Sequence, residues 1–378
     1  MKRTLSLLLT AALALSLLAG CGPKTPAGTS SSAAPGSSSA APGSSSAAPG
    51  SSSAAPGSSS SQPDGSDQDS SQSTPEVDAP VIKFMALSGP TGVGASWLME
   101  YYSAENAFTD MPFILDSTIV TDNTEVQAAL NNKTVDVAAI ATNAAAVLSA
   151  KNPDSIQVLA VNTLGVLYIL EKGDTVHSMA DLKGKTLYCP SNTKGANPEH
   201  ILNHLLTGNG VDPSDVNIEW LTPQEITAKI TSSDAGICML PVPAATALMV
   251  QDSAVREAVS LTDAWRDLEG SELPMGCVVA RTEFIEKSDP ALIAAFIDLY
   301  GDSISFMEGP GAGSLAVELG ILPNEKVAEK AIPQCALTLI IGQEMKDMLE
   351  DYYSILFQAA PESIGGGLPY DSFYYGVG

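Results

Sequence analysis

From residue 81 onward, short apolar runs alternate with stretches whose apolar residues recur every three or four positions. Continuous or period-two apolarity marks strands, a 3.6 period marks amphipathic helices, and their alternation predicts a largely parallel α/β architecture. A first strand is expected over Val81–Leu87, then a helix from Val93 to Ala104 with Trp97, Leu98 and Tyr101 or Tyr102 inward. A second strand is expected to begin at Phe113–Leu115 and a third to run from Val135 to Ile140. Asp122-Asn123-Thr124-Glu125 reads as a capping box ahead of a helix that buries Val126, Ala129 and Leu130. Thr142-Asn143 opens the next helix.

The following hundred residues repeat the pattern. Thr186–Cys189, Val216–Leu221 and Ala235–Leu240 read as strands. Asn197-Pro198 reads as an N-cap followed by a proline at N1, with Ile201, Leu202, Leu205 and Leu206 inward. Thr222-Pro223-Gln224-Glu225 is a second capping box, with Ile226 and Ile230 on the core face, and Ala244 opens a helix. At an offset of about 100 residues Asp122 falls on Thr222, Glu125 on Glu225, Val126 on Ile226 and Leu130 on Ile230. Any two βα units share part of this pattern, but twin α/β lobes explain it most simply.

Between the halves, Ile156 to Leu170 is apolar for longer than a central strand needs. It reads as one strand that leaves a first lobe and enters a second, with the return near Met275–Ala280. Two such crossings make a hinge. Helices follow from Ser288-Asp289-Pro290, with Leu292, Ile293, Phe296, Ile297 and Tyr300 along one face, and over Met345–Phe357.

The first eighty residues are different in kind. Lys2 and Arg3 precede an apolar run, Leu5–Leu18, too short for a comfortable membrane span. It ends in Leu18-Ala19-Gly20-Cys21, which resembles a bacterial lipobox. The resemblance implies cleavage before Cys21 and lipid, palmitate included, on that residue, with firm anchoring because several acyl chains are buried. Gly-Ser-Ser-Ser-Ala-Ala-Pro then recurs from Gly36 through Gly57. No copy has a hydrophobic face, so residues 21–79 read as a disordered tether with a mean span of roughly 40 Å.

Composition narrows the partners. The chain has 43 acidic and 18 basic side chains, a net charge of −25. That excess argues against nucleic acid and against docking on anionic lipid, so membrane contact is expected through the anchor alone. Three tryptophans argue against a sugar platform lined with rings. Cys189, Cys238 and Cys277 sit inside apolar runs and, with Cys335, lack metal-type spacing; buried free thiols are expected, with one inter-strand disulfide the lesser alternative.

Several segments carry a family resemblance. Met179-Ala180-Asp181-Leu182-Lys183-Gly184-Lys185-Thr186 resembles the segment that leads into lobe two of nitrate/sulfonate/taurine-type (SsuA/THI5-like) substrate-binding proteins. The Cys189-Pro190-Ser191 turn, Val135–Ile140, Arg281–Lys287 and Gly365-Gly366-Gly367-Leu368-Pro369 are similar to that family in the same order. The resemblance covers about residues 81–375 and implies a two-lobed type II periplasmic-binding-protein fold with a ligand cleft between lobes. Lobe one would comprise residues 80–164 and 276–378, lobe two 165–275, after a signal peptide of residues 1–20. It also implies an ABC-transporter substrate-binding lipoprotein on the extracytoplasmic face of the cell membrane. Such a protein is a monomer without cofactor that hands a small solute to a permease.

In parallel α/β sheets, ligands sit beyond the carboxyl ends of strands, where helix N-termini offer free N–H groups and partial positive charge. Four loops fit. Ser88-Gly89-Pro90-Thr91-Gly92-Val93-Gly94 supplies Ser88, Gly89, Thr91 and Gly92, though it also reads as a plain tight turn and matches no phosphate-loop motif. Thr142 and Asn143 form the second, either of which could simply cap its helix. Ser191, Asn192, Thr193, Lys194 and Gly195 form the third; Lys194 is the only cation in these loops and could as well be a solvated surface lysine. Pro241, Val242 and Pro243 form an apolar wall, and Thr163, Leu164 and Gly165 of the hinge complete the floor. One cation suits an anion poorly, so a neutral or zwitterionic organic solute is expected.

The rivals are a ligand-sensing receptor and a metal-dependent enzyme resembling the pyrimidine synthases that share the family fold. The enzyme would need a cysteine-rich motif that the chain lacks. His200 and His204 stand i, i+4 on a helix, but no third ligand motif accompanies them. No catalytic residue and no metal ligand is assigned.

Overall fold

The structure is a computed structural model that describes residues 78–377. The leader, Cys21 and the repeated tether lie outside the described residues. Eleven strands are described: β1 (Val81–Leu87), β2 (Ile114–Val120), β3 (Val137–Ala141), β4 (Ile156–Thr163), β5 (Leu167–Lys172), β6 (Thr186–Pro190), β7 (Asn217–Leu221), β8 (Gly236–Pro241), β9 (Val255–Ser260), β10 (Gly276–Arg281) and β11 (Leu337–Ile340). They form two sheets, β11-β4-β10-β3-β1-β2 and β7-β6-β8-β5-β9.

The sheets are topological copies. β2-β1-β3 and β7-β6-β8 are parallel triads, and each is followed by an antiparallel strand, β10 or β5, and then by β4 or β9. The antiparallel strand of each sheet follows a crossing from the other. The pairing of Asp122 with Thr222 holds in space: each N-caps the helix after the second strand of its triad. Only Thr222 and Glu225 make the reciprocal capping box; Asp122 accepts from Thr124 N at 2.8 Å, an Asx turn in place of the box expected there.

The long apolar run passes from one sheet to the other as expected, but as two strands, β4 and β5, with Leu164–Val166 between the sheets, and not as the single strand expected. The helix expected over Val93–Ala104 is two short helices, Pro90–Val93 and Ser96–Tyr101. The break lies where Gly94 lets the helix Pro290–Met307 approach: a Cβ on Gly94 would meet Ile304 at 3.3 Å. Ser303 Oγ accepts the Leu98 N–H at 3.0 Å, repairing the hydrogen bond lost at the break. The same long helix places Phe296 between Phe84 and Phe113, tilted to both, with centroids 6.0 and 5.9 Å away.

Asn197 is not an N-cap. That position is Ala196, and Asn197 is the first residue of the helix Asn197–Gly208. The edge strands β9 and β11 and the helices Leu261–Glu269, Ala312–Glu318 and Glu325–Ala331 add to the expected elements. All four described cysteines are free and buried.

Candidate functional site

Strand direction decides where a site can form. β4 runs antiparallel to β10 and β10 antiparallel to β3, so β4 ends at the same edge as β1, β2 and β3. β5 runs antiparallel to β8, so it begins at the edge where β6, β7 and β8 end. The crossing Leu164–Val166 therefore joins the carboxyl edge of one triad to the carboxyl edge of the other. The return from Ser260 through Leu273–Met275 into β10 joins the same two edges. The crossings touch: Met275 N donates to Thr163 O at 2.9 Å.

Six helices begin at those edges after the triad strands, and their caps differ by position. The helices after the outer strands β2 and β7 are closed by Asp122 and Thr222 side chains. The four after the inner strands β1, β3, β6 and β8 begin at Pro90, Thr142, Asn197 and Ala244, and none has a side-chain cap. Helix tips without a side-chain cap can offer their remaining N–H groups to a ligand; here Thr142 N–H is taken by Met275 O, and Pro90 and Pro198 have none.

The first loop is built close. Gly89 has φ +89° and its carbonyl accepts from Gly92 and Val93. Gly92 is required by contact: a Cβ there would lie 2.5 Å from Leu87 O. Ser88 is half-buried and Thr91 buried. Asn162 Nδ2 donates to Thr91 O at 3.1 Å and to Tyr300 Oη at 2.7 Å. A Cβ on Gly276 would fall 2.7 Å from Asn162 Oδ1, 2.9 Å from Thr91 Oγ1 and 3.1 Å from Thr163 Cβ. Thr91, Asn162, Thr163 and Gly276 thus converge at the crossings. Asn162 Oδ1 and Thr163 Oγ1 are buried without a hydrogen-bond partner among the described residues. Sequence reasoning passed over Asn162, whose signal was an amide inside the apolar run 156–170.

The second loop differs from the expectation. Neither Thr142 nor Asn143 caps its helix; Ala141 holds that position. Thr142 is fully buried, and it donates N–H to Met275 O at 3.1 Å and its hydroxyl to Pro274 O at 2.8 Å. Its side chain fastens the return crossing. Asn143 Nδ2 donates to Ser363 O at 3.3 Å.

The third loop is mostly exposed. Ser191, Asn192, Lys194 and Gly195 are exposed, and Thr193 turns its hydroxyl to Pro190 O at 2.7 Å. Its hydrogen bonds among the described residues are local, and Lys194 Nζ lies 5.9 Å above the Trp220 ring. The fourth loop is partly core: Val242 is buried among lobe-one side chains and donates N–H to Val166 O at 3.0 Å, while Pro241 and Pro243 are half-buried. Leu164 is half-buried and donates its N–H to Ala336 O at 3.0 Å.

Charge near the crossings is sparse, and what there is near Tyr168 is acidic. Among the described residues no Lys or Arg is buried, and Glu171 is the only buried charged side chain. Burial pushes the Tyr168 phenol up to about 12, with help from Glu257, Asp263 and Cys335. Burial likewise raises Tyr300, against the hydrogen bond from Asn162. The junction thus offers hydroxyls, amides and backbone N–H groups. No group of three or more His, Cys, Asp or Glu side chains suited to a metal ion occurs among the described residues. His204 Nε2 lies 2.7 Å from Glu269 Oε1, and with His200 it lines a pocket of about 720 Å³ that none of the expected loop residues lines.

A family model described as NMT1/THI5 like matches residues 115–309, just over half of the 378-residue chain. The chain belongs to the NMT1/THI5-like family. Solved structures share its fold. One is an ABC transporter protein from Parabacteroides distasonis, 24% identical over 78% of this chain and 98% of that one, with a TM-score of 0.64. Another is the periplasmic aliphatic sulphonate binding protein SsuA from Escherichia coli, 15% identical over 78% and 92%, with a TM-score of 0.61. A third is the zinc-bound ligand-binding component of an ABC-type import system from Staphylococcus aureus, 13% identical over 78% and 96%, with a TM-score of 0.59. No curated protein matches the chain. The NMT1/THI5-like chain has the two-lobed type II periplasmic-binding-protein fold that its strand order describes.

Proposed function

We propose that this NMT1/THI5-like protein captures a small organic solute between its lobes and delivers it to the permease of an ABC importer. One observation carries the reading: the carboxyl edges of both parallel triads meet at two chain crossings, with four helix tips left uncapped there. Solute bridging both lobes favours the closed arrangement, because only that arrangement makes both sets of contacts. The lobes in this reading are residues 80–164 with 276–378, and 165–275.

The proposed ligand contacts are the exposed or half-buried edge residues Ser88, Asn143, Leu164, Ser191, Asn192, Lys194, Gly195, Pro241 and Pro243, with the loop backbone of Gly89 and Gly92. Thr91, Thr142, Thr163, Thr193 and Val242 support them from beneath. A neutral or zwitterionic solute suits this lining, because Lys194 is the only cation among the proposed contacts and the rest are hydroxyls, amides, backbone and apolar walls. The leader motif supports lipid on Cys21 and an extracytoplasmic position at the end of the tether; the protein acts as a monomer without cofactor or catalytic residue.

The test is a melting-temperature screen of the full chain against amino acids, pyrimidines, taurine and ethanesulfonate. A true ligand raises the melting temperature by mass action, by several degrees at a hundredfold excess over Kd. Stabilisation by an uncharged or zwitterionic solute supports the reading. Stabilisation by ethanesulfonate alone removes the neutral-ligand part, and indifference to the whole panel counts against solute capture.

A further inference from the structure

We infer that Tyr352 and Tyr353 form a two-sided clasp that sets how far the lobes stand apart, and that opening the cleft breaks the Tyr352–Asn197 hydrogen bond. The inference rests on the two-lobed solute-binding reading and adds a positioning device to the same site.

The two tyrosines are neighbours on the helix Gly342–Ala359 and are both buried. Adjacent helical residues point about 100° apart, so one turn of helix serves two directions. Tyr353 Oη donates to Thr142 O at 2.9 Å, and its ring lies 6.3 Å from Phe373. Both partners belong to the part of the chain that packs on the first sheet. Tyr352 Oη donates to Asn197 Oδ1 at 2.8 Å, and its ring lies 5.6 Å from Trp265. Both of these belong to the part that packs on the second sheet.

The partners are the residues that open two of the uncapped helices. Thr142 begins the helix after β3 and Asn197 the helix after β6. Each also touches the return crossing. Thr142 donates to Pro274 O and Met275 O, and Asn197 Nδ2 lies 3.6 Å from Met275 Sδ. The clasp, both helix tips and the crossing are therefore one buried network. The helix Gly342–Ala359 packs on β4 and on the 3-10 turn Pro361–Ile364, which in turn packs on the helix after β3, so it travels with the first sheet; on the other side it meets the helix Asn197–Gly208. A rotation of the second sheet about the crossings leaves Tyr353–Thr142 intact and pulls Asn197 from Tyr352. The apposition of the two helix tips then depends on this neutral hydrogen bond and the Trp265 contact, while Thr246 Oγ1, donating to Gln334 Oε1 at 2.5 Å, makes the other hydrogen bond between side chains of the two lobes among the described residues.

The experiment reads the distance between lobes without any ligand. In the full chain carrying Cys21→Ser, exposed Glu125 and Gln224, on the helices after β2 and β7, are replaced by cysteine and spin-labelled. The four buried native thiols stay unlabelled. Tyr352→Phe deletes one hydroxyl and keeps the ring. It is expected to raise the longer-distance population by roughly three- to tenfold, the scale of one net hydrogen bond. Tyr353→Phe lowers the melting temperature while leaving the distance distribution unchanged, and adding Asn197→Leu to Tyr352→Phe brings no further opening. If the parent chain samples two distances and Tyr352→Phe leaves their ratio unchanged, the clasp is overturned and solute capture stands. If every variant, Tyr352→Phe included, gives one narrow distance that no probe solute alters, the lobes do not move and both ideas fall.

Discussion

Gly165 leaves the space that Thr262 fills: a Cβ on Gly165 would stand 2.0 Å from Thr262 Oγ1. Gly165 lies in the first crossing, and Thr262 lies in the first turn of the helix Leu261–Glu269 after β9. The hinge segment is thus pressed against the second lobe with no room for a methyl group. Gly165→Ala is expected to destabilise the protein by roughly 1–3 kcal/mol through overpacking. Thr262→Ala should restore part of that loss, since it removes the oxygen but leaves a Cβ at 2.9 Å. Chemical unfolding of both single variants and the double variant checks this; equal loss in Gly165→Ala and the double variant would refute it.

Asn162 ties the first loop to the hinge strand, so its loss should be felt at both. Asn162→Leu removes the amide shared by the Thr91 carbonyl and the Tyr300 hydroxyl and leaves them only each other, at 3.5 Å. The expected cost is about 2 kcal/mol, read as a lower urea midpoint at unchanged slope. Tyr300→Phe alone should cost less, about 1 kcal/mol, because Asn162 retains Thr91 O. The two losses should not add, as both variants remove one shared contact.

Glu171 makes stability depend on acid. The residue is 2% exposed. It accepts from Thr175 N at 2.9 Å, Thr175 Oγ1 at 2.6 Å and Val176 N at 3.1 Å, and it meets Arg256 at 2.6 Å. Burial alone would raise its pKa; the bonds from Thr175 and Val176, with the charge of Arg256, outweigh that and hold it below 4.5. A carboxylate lowered in the folded state stabilises fully above its unfolded value and loses that contribution as pH falls through the folded value. Unfolding midpoints should therefore drop below about pH 4.5. Glu171→Gln should cost roughly 2 kcal/mol at pH 7, with the gap to the parent closing in acid.

The cysteines should be silent in the folded chain. Burial pushes the Cys189, Cys238 and Cys335 thiols up to about 12 and raises Cys277 further. At pH 8 roughly one thiol in ten thousand would be ionised even if a reagent reached it. Alkylation of the Cys21→Ser chain should modify none of the four until denaturant is added, and then all four. A reductant should leave the melting temperature unchanged.

The strand skeleton was legible because buried parallel strands are apolar along their whole length. β1, β6 and β8 fall within one residue of where the pattern puts them, and β4 with β5 divide the long run at the crossing. β9 and β11 were not legible. Val255-Arg256-Glu257-Ala258 carries charges because β9 is an edge, and β11 is four half-buried residues. The helix tips were found at the right places, but Asn197 and Thr142 looked like caps because short polar side chains before a helix usually are. Here their side chains are claimed by Tyr352 and Pro274, 155 and 132 residues away in sequence.

Local pattern determined the elements, their twofold repetition and the four loops at the carboxyl edges, since each follows from residues a few positions apart. Only the folded chain decided what those loops do together. Contacts such as Asn162–Thr91, Thr142–Pro274 and Tyr352–Asn197 join positions that no periodicity relates. Whether a polar side chain faces a ligand or fastens a hinge depends on which distant group reaches it first.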